Sequence, residues 1–408
     1  MYKVGGFIMR NPEAEGEILT DKERKNLAIL ETVKRSGPIS KADVSKITKL
    51  NIVTVSNYVN DFVEKGLIIE KGLDVSSGGR RPTMIELNPK AYYVIGIDLA
   101  VNKIIGVLTD LDAKIIAKEK AQRPRENAEA VVNTVVDIIA KLIKSPDIDS
   151  KKIHGICIGA SGVIDRESGT VRCTEGIASI YVPINTLLEQ KFGIPVFIEH
   201  DATAAAYGEW SIGLGAEARV MLYMYSGVGC GIIINGEIYR GVSGTAGEVS
   251  LKELLDYSSN WAQNSIMLKP WDLNLGIPDE AKEALAKHAD SKIFKEINSD
   301  PSKITTDLIF KMAKENDKLA IELLERAGER LGVRIAFLVN LLNPGVVVIG
   351  GGIEQAGPPL IDSIKKMIKT CSFEEMAEAV KIIPARLGED SVAVGSASLV
   401  VRDVFAKA

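Results

Sequence analysis

Residues 51–71 read Asn51-Ile-Val-Thr-Val-Ser-Asn-Tyr-Val-Asn-Asp-Phe-Val-Glu-Lys-Gly-Leu-Ile-Ile-Glu-Lys71. Ile52, Val55, Val59, Phe62 and Val63 recur at helical spacing, Asn51 can cap the helix they define, and Gly66 closes it. The run that follows, Leu67-Ile-Ile-Glu-Lys71, reads as a strand. Away from the apolar positions stand Thr54, Ser56, Asn57, Asn60 and Asp61. An ordinary solvent-facing helix would carry more Glu and Lys there. Short hydroxyl and amide side chains suit base edges and phosphates in a DNA major groove.

Working outward, Thr20-Asp-Lys-Glu23 has capping-box spacing ahead of Leu27, Leu30 and Val33, and Gly37-Pro38 stops that first helix. Ser40 can cap a second helix with Val44 and Ile47 turned inward. Downstream, Thr83-Met-Ile-Glu-Leu87 supplies a second strand, separated from the first by Ser76-Ser-Gly-Gly-Arg-Arg-Pro82. Three helices and a two-stranded wing give a winged helix-turn-helix over residues 21–89, preceded by a loose tail over 1–20. Arg80 and Arg81 on a slender Gly-Gly loop suit a narrow, electronegative minor groove. Alanine at either is expected to weaken DNA binding and flatten its salt dependence. The charge agrees: residues 21–89 hold 12 Lys/Arg against 9 Asp/Glu, whereas the whole chain is −4.

After Asn88-Pro89 the texture becomes α/β. Strand-like runs at 92–100, 103–111 and 114–121 precede a helix near 126–144 and buried strands at 152–158 and 195–199. A second series begins near 219, with strands at 219–225 and 231–234 and a buried run at 346–349. Two related halves, each opening on antiparallel strands, suggest a duplicated fold with a cleft between them.

Composition removes several classes of function. No apolar run is long enough for a membrane span, and the first twenty residues lack the pattern of a signal peptide. Four cysteines without a Cys-x-x-Cys pair indicate neither a disulfide framework nor a zinc ribbon, which places the chain in the cytoplasm as an expectation.

Ser40-Lys-Ala-Asp-Val-Ser-Lys-Ile-Thr48, Thr54 to Glu70 and Gly78-Gly-Arg-Arg-Pro82 together resemble the N-terminus of the ROK family (repressors, open reading frames, kinases), and the resemblance runs on to the C-terminus. It implies a winged helix followed by a two-lobed actin-like ATPase (RNase H-like) domain of the sugar-kinase type. The lobes would span 90–200 and 201–408, with a last helix at about 392–406 packing back on the first lobe. Family members with the N-terminal module repress sugar-utilisation genes. The resemblance therefore implies a double-stranded DNA operator, a small sugar or polyol effector and a homodimer or higher homo-oligomer.

In Ile198-Glu-His-Asp-Ala-Thr203, Asp201 matches the catalytic base of ROK kinases, and His200 stands where those kinases have a sugar-contacting amide. By position alone Asp201 could equally cap a helix. Glu248, in Gly244-Thr-Ala-Gly-Glu248, resembles a sugar-hydroxyl ligand, and Glu175 falls in the loop that closes over sugar. The effector set implied is Glu199, His200, Asp201, Glu248 and Glu175. Gly227, Gly229 and Gly231 resemble the second phosphate loop, and Gly351 lies in the adenosine-side segment. The first phosphate turn departs from the family. Asp98 remains, but Asp98-Leu-Ala-Val-Asn-Lys103 replaces an Asp-x-Gly-Gly-Thr turn, and Ala100 and Val101 put β-carbons where backbone should approach phosphate. The family's zinc cluster cannot be assembled either. Leu251 stands at the histidine position and no cysteine lies between Cys230 and Cys371. The expectation is a sensor with a vestigial base, no required cofactor, no zinc and no ATP–Mg; the alternative is an active ATP-dependent carbohydrate kinase.

Overall fold

The structure, a computed structural model, describes residues 19–73, 83–166, 168–172, 182–214, 217–226, 229–249, 273–285, 291–298 and 300–408. Arg80, Arg81, Glu175, Gly227 and Leu251 lie outside the described residues. Helix α1 (Asp21–Ser36) starts with the reciprocal capping box of Thr20 and Glu23, and buries Leu27, Ile29, Leu30 and Val33. Ser40 caps α2 (Lys41–Thr48), and Asn51 caps α3 (Ile52–Glu64) by accepting from the Val53 amide at 2.8 Å. A short strand β1 (Ile39–Ser40), absent from the sequence reading, pairs with β3 (Thr83–Leu87), which pairs with β2 (Ile68–Leu73). Val44, Val55, Val59, Phe62 and Ile85 are fully enclosed. Two of the apolar positions are not: Ile47 is 56% exposed and Ile52 44%. Lys49, in the left-handed conformation at φ 58°, turns the chain between the two helices, and α3 buries Val55, Val59 and Phe62 but not its first turn.

The sheet that follows grows from a meander, β4 (Tyr93–Leu99), β5 (Lys103–Asp110) and β6 (Ile115–Gln122), all antiparallel. Helix α4 (Ala128–Ile143) returns the chain. Strand β7 (Ile153–Ala160) then joins β4 in parallel, a hairpin of β8 (Val163–Asp165) and β9 (Thr170–Arg172) follows, and α5 (Ile184–Phe192) leads to β10 (Val196–His200), parallel to β7. The order is β10-β7-β4-β5-β6. Strand β4 is buried on both faces, as a central strand must be. Helix α6 (Asp201–Ser211) continues directly from β10.

The described residues after α6 repeat this plan. Strands β11 (Val220–Tyr225), β12 (Gly229–Ile234) and β13 (Glu237–Ile238) form an antiparallel meander. Helices α7 (Ile277–Leu285), α8 (Lys292–Glu296), α9 (Thr306–Lys314) and α10 (Lys318–Leu342) intervene, and β14 (Val346–Gly350) adds in parallel to β11. After α11 (Pro358–Cys371) and α12 (Glu374–Ala379), β15 (Lys381–Pro384) adds in parallel to β14. The order β15-β14-β11-β12-β13 is the same topology as the first sheet, so the duplication read from the sequence is present strand for strand. The last helix is α13 (Ser391–Lys407).

The described residues divide into two compact units, one of Met1–Gly213, Arg240–Thr245 and Val392–Ala408, the other of Leu214–Tyr239 and Ala246–Ser391. The division follows α6 rather than falling at 200, because α6 is enclosed by the first sheet and by α13. Glycine makes that enclosure possible. A Cβ on Gly395 of α13 would lie 1.9 Å from the carbonyl oxygen of Ala204, and one on Gly96 of β4 would lie 1.9 Å from that of Ala393. No helix among the described residues is long and apolar enough to cross a membrane.

Candidate functional site

Two places carry chemistry, and both lie in the first unit. The first is the outer face of α3. Val53, Asn57, Asn60 and Glu64 are exposed at positions i, i+4, i+7 and i+11, so they form one stripe; Thr54 and Ser56 are half-buried beside it. Asn60 Oδ1 accepts from Lys41 Nζ at 2.9 Å, which ties the stripe to α2. Val55, Val59 and Phe62 hold the opposite face in the core.

The second place is the carboxyl edge of the first sheet. Leu99, Ala160 and His200 are register partners at the ends of β4, β7 and β10, three parallel strands. The residues one step further are Ala100, Ser161 and Asp201. The crevice beyond the carboxyl ends of parallel strands is where ligands bind in such sheets. Asp201 is 4% exposed. One of its carboxylate oxygens accepts a short hydrogen bond from Ser161 Oγ, and the other accepts from the Ala202 amide at 2.6 Å. His200 Nδ1 lies 3.4 Å from the same carboxylate. Asp201 is the first residue of α6, with His200 at the N-cap position, and its carboxylate is offered to a hydroxyl, which Ser161 here supplies. The sequence reading missed Ser161. Its signal was positional: a serine directly after a buried strand, followed by Gly162 at φ 111°.

Glu199 sits differently. Oε1 accepts from Arg166 and from the His200 amide, and Oε2 accepts from Arg240 Nε at 2.9 Å and Nη2 at 2.8 Å. Burial works to raise its pKa, but Arg240 and Arg166 overcome this and hold the carboxyl below its ordinary value. With both oxygens occupied, Glu199 organises arginines. Arg166 also donates to the Gly244 carbonyl at 3.0 Å, so one buried carboxylate fastens the β8–β9 hairpin and the 240–245 loop to the end of β10. Neither arginine stood out in the sequence, because an ion pair across 41 or 33 residues leaves no periodic trace.

The remaining candidates are placed as follows. Asp98 is 3% exposed within β4. The turn after it is held by Arg123, which donates to the carbonyls of Leu99 and Ala100 at 3.3 and 3.2 Å. In the second unit Glu248 is exposed and bridges Gly229 across an antiparallel pair. Gly247, at φ 102°, has no room for a side chain, since a Cβ would lie 1.8 Å from the Cys230 carbonyl oxygen. Gly231 lies in β12. Gly351 (φ 75°) accepts from Ser226 Oγ at 2.5 Å and faces the Ser226 amide, where a Cβ would approach to 2.4 Å. Asp201 and Ser161 are therefore brought together with His200, while Glu248 belongs to the other unit.

Helix α6 leads away from Asp201 with all eleven residues buried. At its far end Tyr207 Oη donates to Glu31 Oε1 of α1 at 3.2 Å, and the Arg35 guanidinium lies 4.0 Å from the centroid of the Trp210 ring. Glu31 and Arg35 pair at 3.2 Å. Burial, then the Glu31 carboxylate, raise the Tyr207 phenol well above its ordinary pKa, so it remains a donor. Asn26 of α1 donates to the carbonyls of Ala406 and Ala408 at 2.8 Å each. The winged helix is thus docked on α6 and α13 through side chains of its first helix.

The sequence pattern of the ROK family matches residues 94–250 and 281–403. A xylose repressor of Caldicellulosiruptor bescii is 30% identical over 388 residues, covering 94% of this chain and 97% of that one. Among solved structures, a ROK family transcriptional regulator homologous to the E. coli MLC protein superposes with a TM-score of 0.75 at 21% identity, covering 94% of this chain and 96% of its own. A ROK family glucokinase from Streptomyces griseus, in complex with glucose and AMPPNP, superposes with a TM-score of 0.64 at 24% identity, covering 75% of this chain and 98% of its own. The family pattern takes in both sheets, the relatives extend across the winged helix as well, and the chain belongs to the ROK family.

Proposed function

We propose that this protein is a sugar- or polyol-responsive transcriptional repressor that binds operator DNA through α3 and the wing and senses its effector at Asp201. The observation that carries the reading is α6. One buried helix begins at the carboxylate offered to Ser161 and ends on the residues that seat the winged helix. A polyol hydroxyl that displaces Ser161 from Asp201 would alter the seat of α6, and the Tyr207–Glu31 and Trp210–Arg35 contacts would pass that change to α1. The effector then selects between two placements of the DNA-binding module, with an effect limited to its differential affinity for them. Two winged helices in a homo-oligomer would read paired half-sites, and a cytoplasmic setting suits such a protein.

The carbohydrate-kinase reading has Asp201 at the base position and the Ser226–Gly351 turn in its favour. Against it stand the β-carbons of Ala100 and Val101 and the Arg123 clamp on the Leu99–Ala100 turn, so triphosphate has no part in the proposal. The test is release of a bound operator duplex on titration with sugars, xylose first, for the parent chain and Asp201→Ala. The variant should keep DNA binding and lose the response. Release of DNA from Asp201→Ala at the parent's sugar concentration would move the effector site elsewhere, and sugar-dependent ADP formation would restore the kinase reading.

A further inference from the structure

Among the described residues of the winged helix, four large apolar side chains are left exposed: Ile69 (41%) stands apart on β2, and Ile47 (56%), Ile52 (44%) and Val53 (64%) lie together. The latter three bracket the turn between α2 and α3. The apolar pattern by itself places Ile47 and Ile52 in the core, and the left-handed turn at Lys49 leaves them outside it. A cluster of such side chains, on a module with a well-filled core of its own, marks an interaction surface, whereas a single one would not.

The surroundings select the partner. Val53 is in the first turn of α3, and in a helix-turn-helix the N-terminal residues of the second helix of the motif meet base edges. It shares its stripe with Asn57 and Asn60, whose amides suit adenine edges. Lys46, near the end of α2 and paired there with Asp43 at 2.8 Å, and Lys49, on the turn, are both exposed and suit phosphate. An apolar contact edged by amides and lysines fits a DNA groove better than the apolar face of another protein. In the major groove the only apolar group at a base edge is the thymine C5-methyl. We infer that Val53, at the rim formed with Ile52 and Ile47, reads a thymine methyl in each operator half-site and so sets base preference at that position. This rests on the DNA-binding reading above.

The test uses the full chain and a duplex that the full chain selects from a randomised library. Each thymine of the selected half-site is replaced in turn by deoxyuracil, which removes only the methyl. At one or two positions the parent chain should bind roughly three- to tenfold more weakly, the scale of one apolar carbon returned to water. Val53→Ala should weaken binding to the thymine duplex by a similar factor, and at that position should show no further loss with deoxyuracil. Full thymine dependence in Val53→Ala, or no sensitive position in the parent, would overturn the inference while leaving DNA binding intact. A change in the sedimentation of Val53→Ala without DNA would overturn it in favour of a contact between copies of the chain. Failure of the parent to enrich any duplex would remove the DNA-binding reading itself, and the inference with it.

Discussion

Helices α3 and α6 each begin at a functional position, and they are built on opposite plans. The thirteen residues of α3 bury Val55, Val59 and Phe62 and leave a continuous polar and apolar stripe in water. The eleven residues of α6 are buried without exception, Asp201, Thr203 and Glu209 included. A helix with a free face can recognise something outside the protein. A helix without one can only position its two ends relative to each other, and any displacement at Asp201 must be accommodated at Tyr207 and Trp210. Close-packed interiors transmit strain because they lack space to absorb it. The difference predicts where substitutions disturb folding and where they disturb recognition alone.

The largest effect is expected just before α6. Glu199→Gln leaves Arg166 and Arg240 against a neutral amide; losing one partner of a buried ion pair costs about 3–5 kcal/mol, and because both arginines are partly exposed the low end, about 3 kcal/mol, is expected. Urea unfolding should show the loss. It should also depend on pH in a definite sense. The native carboxyl titrates below its unfolded value, so its contribution is present above the unfolded glutamate pKa of about 4.3 and is lost as pH falls through the lower native value. The stability gap between parent and variant should be flat near neutrality and close in acid. A gap that widens in acid would mean the arginines do not hold Glu199 ionised.

Gly395→Ala comes next. Its Cβ would sit 1.9 Å from a backbone oxygen of α6, and backbone cannot rotate aside as a flexible side chain can. Overpacking of this kind costs about 1–3 kcal/mol. Asn57→Ala, at an exposed position of α3, should stay within about 0.5 kcal/mol in stability while weakening operator binding. Equal destabilisation at the two positions would erase the contrast between the helices.

How much of this was legible in the sequence follows the same division. The capping box of α1, the N-caps of α2 and α3, the period of α3, the meander of β4–β6 and the repeat beginning near β11 all rest on neighbours within a few residues, and each is present. The reading failed where distant residues decide the outcome. Ile47 and Ile52 fit the inward period, but the crossing of α2 and α3 is set by a turn whose left-handed residue is a lysine, a type that gives no warning of it. Glu199 matched a ligand position by resemblance, and only the fold shows that two arginines fill both its oxygens. Ser161 and Asp201 are forty residues apart, and the parallel register of β7 and β10 brings them together.

The smallest effect is the most informative about coupling. Tyr207→Phe removes one hydroxyl and leaves the ring to pack against Trp210, whose centroid is 5.5 Å away. The net cost in stability should be about 1 kcal/mol, the usual worth of one hydrogen bond. Neither Asp201 nor the α3 stripe is touched, so affinity for effector and for DNA measured separately should change little. If the Tyr207–Glu31 bond carries the message, the change in operator affinity caused by saturating effector should shrink several-fold, and by linkage the change in effector affinity caused by operator should shrink by the same factor. Titration calorimetry on the parent and the variant, with each ligand in the absence and presence of the other, measures all four affinities. An undiminished coupling in Tyr207→Phe would leave Trp210–Arg35 and the α13 contacts as the route, and the combined Tyr207→Phe, Arg35→Ala variant would then be the one to lose it.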